Sequence, residues 1–281
     1  MKLTISHLYM AAVVFVCVLV ALVIYGVIIP DRMASNYLKR LEASGQQLKV
    51  SFKTIDKTDN LNVFNNPDTA AQTSQQNLAV INKDIKDCQQ QLTAFNKVAD
   101  SLKRPPLTGS IGTMHKARVQ QAHAHTIVAQ SKDVLSQYQQ LTNFLTAYYN
   151  YDKTFQTYTT AVDHVTDLST LAAQTAQLNA QAQQLQQYST ALTNGATPNG
   201  YQQLAAAAAP MYLQASQGFS ELASGLSVGS DDQTNNGISL IESAVNTHDS
   251  SVAGLPTNLA QNVYIFQQVD ELPDKIENLF S

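Results

Sequence analysis

The stretch Leu8 to Ile29, LYMAAVVFVCVLVALVIYGVII, runs for twenty-two residues without a charge. About 20 apolar residues in a helix cross the ~30 Å hydrocarbon core of a bilayer. Val, Ile and Leu occupy every face of the run, so it offers water no polar side, as an amphipathic surface helix would. It is also longer than the apolar region of a cleaved secretory signal, about 7–15 residues. Its end, Tyr25-Gly26-Val27-Ile28-Ile29-Pro30-Asp31-Arg32, lacks the small-residue pair that signal peptidase requires. Cys17 follows Val14-Phe15-Val16 and not the small residues of a lipoprotein signal. A retained membrane-spanning helix is therefore expected over residues 8–29, in contact with lipid, with Tyr9 and Tyr25 at its two interfaces. Pro30 then sits where the chain leaves the membrane and a lost backbone donor matters least.

This anchor organises the rest: a tail over 1–7, the anchor over 8–29, a helical stalk over 30–58 and a helical bundle over 59–281. The short N-terminal side carries Lys2, whereas Arg32, Lys39 and Arg40 follow the span. By count of basic residues alone the bulk of the chain would be cytoplasmic. The composition points the other way: the chain is rich in Gln, Thr, Asn, Ser and Ala, and only 14% of it is charged, which resembles an exported envelope protein. The expectation is a single-pass membrane protein with its bulk extracytoplasmic. No N-x-[ST] sequon occurs, which favours a bacterial envelope over a eukaryotic glycoprotein. The seven-residue tail is too short to carry an output domain.

Of the 17 Lys and Arg and 21 Asp and Glu, only Lys2 precedes the span, leaving 16 basic against 21 acidic side chains beyond it. The sequence shows no basic stripe for phosphate neutralisation, so nucleic acid is not an expected partner. Cys17 lies within the span and Cys88 far along the chain, so no disulfide is expected and stability must come from packing.

Helix is the expected structure throughout, since Ala, Gln, Leu and Lys are common and β-branched alternation is scarce. Residues 31–58 continue the anchor with a stripe of Leu38, Leu41, Leu48 and Phe52. Asp59 to Pro67 reads as a turn-rich connection, and Asp68 or Thr69 as the cap of a helix reaching Lys103 before Arg104-Pro105-Pro106 ends it. That helix carries Leu78, Ile81, Ile85, Cys88, Leu92, Phe95, Ala99 and Leu102, the alternating three- and four-residue steps of a coiled-coil seam. Cys88 on this seam reads as a small hydrophobe and not a reactive thiol.

A helix from Thr113 has Leu141, Tyr148, Phe155 and Val162 every seven residues, and so should pass unbroken through Asn150-Tyr151-Asp152. A second ladder, Leu171, Leu178, Leu185 and Leu192, is out of phase with it, which predicts a turn at Thr166 to Thr170. Gly195 and Gly200 frame a further connection, with Thr197-Pro198 as a helix start. The run Ala205 to Ala209 before Pro210 reads as helix-forming filler. Gly225 to Gly237 reads as the most loop-like segment, followed by a short helix from Ile238 to about Asn246. The last segment carries Leu259, Val263, Phe266, Val269, Leu272, Ile276 and Leu279, an amphipathic stripe that should dock on the bundle. The fold class expected is all-α: an N-terminal transmembrane helix followed by an elongated antiparallel helical bundle with coiled-coil-like seams.

No catalytic constellation is expected. Asp232 to Gly237 has the outline of a calcium loop, but Thr234 stands at its third position and Ser243 at its twelfth, where a bidentate Glu is needed. A helix-capping segment is the expectation there. His115, His123 and His125 share one helical stretch without converging, so they read as solvated side chains and not metal ligands. Asp163 and His164 are neighbours that project to different faces. Leu255-Pro256-Thr257 starts like a sortase signal, and Asn258-Leu259 breaks it. Tyr148, Tyr149, Tyr151 and Tyr158 form an aromatic cluster in which Tyr148 falls on the seam, leaving Tyr149 and Tyr151 as a candidate interaction patch. The expected function is therefore non-enzymatic, without cofactor or metal: a membrane-anchored scaffold or interaction protein, acting on a protein partner or on itself through its seams. The alternative is a ligand-binding or sensor ectodomain that signals through a partner.

Overall fold

The computed structural model describes residues 5–58, 71–103, 112–162, 168–194, 199–253 and 264–281. They form helices, and no strand occurs among them. We label the helices α1 (Ile5–Val23), α2 (Ile29–Thr58), α3 (Ala71–Ala99), α4 (Thr113–Val162), α5 (Leu168–Asn194), α6 (Asn199–Val228), α7 (Asp231–Ala253) and α8 (Tyr264–Asn278). A π-helical turn over Ile24–Ile28 joins α1 to α2, so the chain is helical without interruption from Ile5 to Thr58. Within it the Ile29 N–H donates to the Ile24 carbonyl, five residues back. Pro30 gives the turn a cause: it cannot donate to the carbonyl of Gly26, and its ring would crowd that carbonyl in a regular α-helix. A wider turn just before it relieves both problems.

The helices pack as two units. The first comprises residues 1–52, 88–132 and 272–281. Here α2 buries Ala34, Tyr37, Leu41, Leu48 and Phe52. Residues 30–58 thus carry a packed face, with Leu38 at its half-buried margin. The Tyr37 hydroxyl donates to the Ala99 carbonyl at 3.3 Å, and the Gln121 side-chain amide donates to the same oxygen at 2.8 Å. Together they satisfy an orphan carbonyl at the end of α3 and tie three helices to one point. Gly45 leaves room for the C-terminal residues: a Cβ there would lie 2.5 Å from the Phe280 ring and 3.4 Å from Phe95. Lys49 pairs with Glu277 at 2.9 Å beside this contact. The stripe of α8 is buried at Leu272 and Ile276, and Leu279 just past its end is buried too, as an amphipathic docking helix requires.

The second unit comprises residues 53–87 and 133–271. Its α6 packs against both α5 and α7. The seam of α3 is buried across both units: Leu78, Ile81, Ile85, Cys88, Leu92, Phe95 and Ala99 all lie in the core, and Leu102 is half-buried. On α4 Leu141 and Tyr148 are buried, and on α5 Leu178 and Leu185 are, with Thr175, Ala182 and Ser189 completing the stripe. The side chains of Phe155, Tyr158, Val162, Leu171 and Leu192 lie outside the described residues. So do the expected connections at Asp59 to Pro67 and Arg104 to Pro106, the caps at Asp68, Thr69 and Thr197-Pro198, the turn residues Thr166 and Asp167, and Leu259 and Val263. The helix α4 does run unbroken through Asn150 to Asp152. Ala205, Ala208 and Ala209 are buried filler on α6, which continues through the exposed Pro210.

One expectation is overturned. Gly225 to Gly237 is not a loop but the hinge of a helical hairpin, in which only Gly229 and Ser230 stand between α6 and α7. Consequently α7 begins at Asp231 rather than Ile238 and reaches Ala253. Gly229 takes the left-handed φ of +68°, and the Ser230 N–H donates to the Gly225 carbonyl at 2.9 Å, closing α6 in a Schellman turn. Ser230 Oγ then accepts from the Gln233 N–H at 3.4 Å, while Asp231 and Asp232 sit in the first turn of α7 where the helix dipole favours anions. The other glycines serve close packing. A Cβ on Gly225 would lie 2.6 Å from the Thr234 nitrogen, and one on Gly237 would lie 2.5 Å from the Leu222 nitrogen.

Candidate functional site

Two features could carry function: the apolar face of the first helix, and the polar and aromatic groups inside the second unit. Along the first helix the large side chains from Val13 to Ile28 stand 39–62% exposed, with no helix among the described residues covering them. The helix is long and apolar enough to cross a membrane. An apolar surface of this extent in water would be strongly unfavourable, since each fully exposed Val or Leu forgoes roughly 1.5–3 kcal/mol of burial. The π turn marks where this cylinder gives way to the one-sided stripe of α2.

The second unit places the tyrosines where the sequence does not. Tyr149 and Tyr151 are both 0% exposed, so they are core residues and not a surface patch. Tyr151 stacks on Tyr212 of α6 with ring centroids 4.1 Å apart, and its hydroxyl donates to the Tyr212 carbonyl at 2.9 Å with Ser216 Oγ a further 2.9 Å partner. Tyr148 meets Tyr149 edge-on at 5.8 Å and Tyr212 at 5.7 Å. Burial pushes the phenols of Tyr151 and Tyr212 above their ordinary range; the Ser216 hydrogen bond works against the shift at Tyr151. These groups stay neutral at physiological pH, and their geometry serves packing.

The reason lies in α4. Between Tyr138 and Tyr151 it buries Tyr138, Leu141, Thr142, Phe144, Leu145, Ala147, Tyr148, Tyr149 and Tyr151, which leaves little of its circumference to water. A helix apolar on nearly every side is a central helix, and that signal was present in LTNFLTAYYNY. Sequence reasoning counted only the sevenfold ladder and so assigned off-ladder tyrosines to the surface. It also missed a polar bridge between α3 and α4. Asn82 Oδ1 accepts from Gln139 Nε2 at 2.8 Å and from Thr142 Oγ1 at 2.9 Å, while Asn82 Nδ2 reaches Thr146 Oγ1 at 3.4 Å. Interhelical polar groups of this kind fix register at some cost in stability.

The remaining sequence candidates are dispersed. His115, His123 and His125 are exposed, and His125 lies 3.7 Å from Asp100. Among the described residues no group of His, Cys, Asp and Glu could hold a metal. Asp232 to Gly237 is helical and presents no loop carbonyls to a cation. Cys88 is buried, and burial pushes its thiol up to about 12, leaving it protonated and poorly nucleophilic. Asp163, His164 and Leu255 to Thr257 lie outside the described residues. No protein-family model, curated protein or solved structure matches the chain.

Proposed function

We propose that the protein is a single-pass, membrane-anchored helical scaffold of the cell envelope that works by protein contact and not by chemistry, with the bulk of the chain outside the cytoplasm. The observation that carries this is the uninterrupted helix from Ile5 to Thr58. From Val13 to Ile28 it presents apolar side chains left exposed among the described residues, and its second part buries Tyr37, Leu41, Leu48 and Phe52 among other helices of the chain. One helix thus joins a lipid-seeking segment to a packed bundle, which suits a device that holds a bundle at a membrane. The low charge and the Gln, Asn, Ser and Thr content support the extracytoplasmic side.

The described residues of the heptad seams are buried within the chain, so contact with a partner or a second copy falls to other surfaces. The apolar side chains left exposed outside the first helix include Leu226 and Val228 at the end of α6 and Ile238 on α7. A photo-crosslinking residue placed at Val228 of the full chain in cells should give a discrete protein adduct. Absence of any adduct at Val228, Leu226 and Ile238, with melting that instead shifts on adding a small molecule, would replace the scaffold by a ligand-binding module. Protease added outside the membrane should cleave within 71–281; protection of that region would place the bundle in the cytoplasm.

A further inference from the structure

Charge is divided sharply between the two units. The first holds 12 Lys and Arg against 5 Asp and Glu, a net of +7, whereas the second holds 5 against 16, a net of −11. The whole-chain value of −4 conceals this, and the basic residues, scattered in sequence, show no stripe until α2, α3 and α4 are brought together.

The hydrogen bonds fix where those charges lie along α2. Both Tyr37 and Gln121 bond the Ala99 carbonyl, so the three residues share one level. Gly45 lies near Phe95 while Tyr37 meets Ala99, so α3 runs back along α2 toward the apolar span. Helix α4 then starts at Thr113, eight residues before Gln121. At ~1.5 Å per residue its first turns lie roughly 10 Å nearer the span than Tyr37 does, about level with Ile29 to Ala34. Pro30, Ala34, Met114 and Ala117 are all buried, as packing at that level requires. Lys116 and Arg118 therefore lie at about the level of Arg32 along α2, and Lys103 follows the end of α3 just past Ala99. Lys39 and Arg40 stand one to two turns further out. Apart from the half-buried Arg118, these basic side chains are exposed. The acidic groups at the same levels are Asp31 and Asp100, with His125 beside Asp100, and the exposed Glu42 follows Lys39 by one turn of α2.

From this placement we infer that the first unit carries a basic collar at the exit of the span, which docks on the anionic headgroups of the membrane that holds it. The inference rests on the span from Val13 to Ile28 lying in a bilayer. The headgroup layer extends a further ~5–8 Å beyond the hydrocarbon edge on each side. Arg32, Lys103, Lys116 and Arg118 fall within or just above that layer, where the Debye length of about 8 Å leaves their attraction largely unscreened. Lys39 and Arg40 sit near its outer limit. Each basic side chain close to such a surface favours association by about fivefold. The collar would hold α2 against the headgroups and set the tilt of the helix, which the uncharged span alone does not determine.

The test uses the full chain reconstituted into vesicles of phosphatidylcholine alone and of phosphatidylcholine mixed with phosphatidylglycerol. A water-soluble acylating reagent is applied, and modification of Lys103 and Lys116 is measured against Lys83 and Lys86, exposed lysines of the second unit. Anionic vesicles should slow Lys103 and Lys116 about fivefold relative to the reference lysines, with recovery in high salt. The variant K116E/R118E should restore labelling of Lys103 while the chain remains in the vesicles. Equal labelling in the two vesicle types overturns the collar but leaves the anchor standing. A chain that enters neither vesicle overturns the anchor, and the collar with it. Stronger protection by a DNA duplex than by anionic vesicles would reassign the face to nucleic acid and contradict the inference.

Discussion

Tyr37 and Cys88 tie the chemistry of single side chains to the stability of the fold. Burial, aided by the negative charge of Asp100, pushes the Tyr37 phenol from 10.0 up to about 12, and burial alone pushes the Cys88 thiol from 9.0 up to about 12. Both are acids whose folded-state pKa lies above the unfolded value. The unfolded chain therefore loses these protons first, and stability falls as pH rises. The contribution is fully present below about pH 9, begins to fade there for Cys88 and from about pH 10 for Tyr37, and is lost as pH approaches 12. Melting temperature should hold steady up to about pH 8 and drop steeply in more alkaline buffer. The double variant Tyr37→Phe with Cys88→Ala should be less stable at neutral pH and show a shallower alkaline decline; an unchanged slope would mean that neither group carries the effect. The role of Cys88 was legible in sequence because its seam is regular. That of Tyr37 was not, since its partner carbonyl at Ala99 is 62 positions away.

At the level of elements, the seam of α3 and the docking stripe of α8 were readable because an apolar residue every three or four positions has one physical use. The hairpin of α6 and α7 was not. Gly225, Gly229 and Gly237, mixed with Asp, Asn and Ser, carry the usual marks of a loop, yet only Gly229 needs a left-handed backbone. Gly225 and Gly237 are glycines because the facing helix lies where a Cβ would go. This can be tested in one helix. Gly237→Ala gains about 1 kcal/mol of helix propensity but places a methyl 2.5 Å from the Leu222 nitrogen and 2.7 Å from the Gly218 carbonyl. Overpacking against rigid backbone costs about 3 kcal/mol, the upper end of the usual range, so the net effect should be destabilising by roughly 2 kcal/mol. Asn236→Ala, at the exposed neighbouring position, should instead stabilise slightly. If Gly237→Ala raised the denaturation midpoint as Asn236→Ala does, the close approach of the two helices would be wrong.

For the molecule as a whole, sequence alone gave the all-α class and the apolar span, because each follows from composition over tens of residues. The failed surface patch at Tyr149 and Tyr151 has the opposite cause. Whether a tyrosine on a crowded helix faces water depends on how many neighbours surround that helix, and one helix's periodicity does not contain that number. The basic collar was hidden for the same reason, since its members come from α2, α4 and the residues that follow α3, and the net charge of the chain is negative. What unites these features is a helix, apolar and long enough to cross a membrane, that continues without interruption into a packed one. The most direct test is whether the full chain stays in the membrane fraction of cells when peripheral proteins are stripped by carbonate or urea. The wild-type chain should remain with the bilayer. The variant Val16→Lys with Leu19→Lys, which adds about 2.5–3.5 kcal/mol per charge at the centre of the span, should be released. Release of the wild-type chain by the same wash would contradict the anchor and everything built upon it.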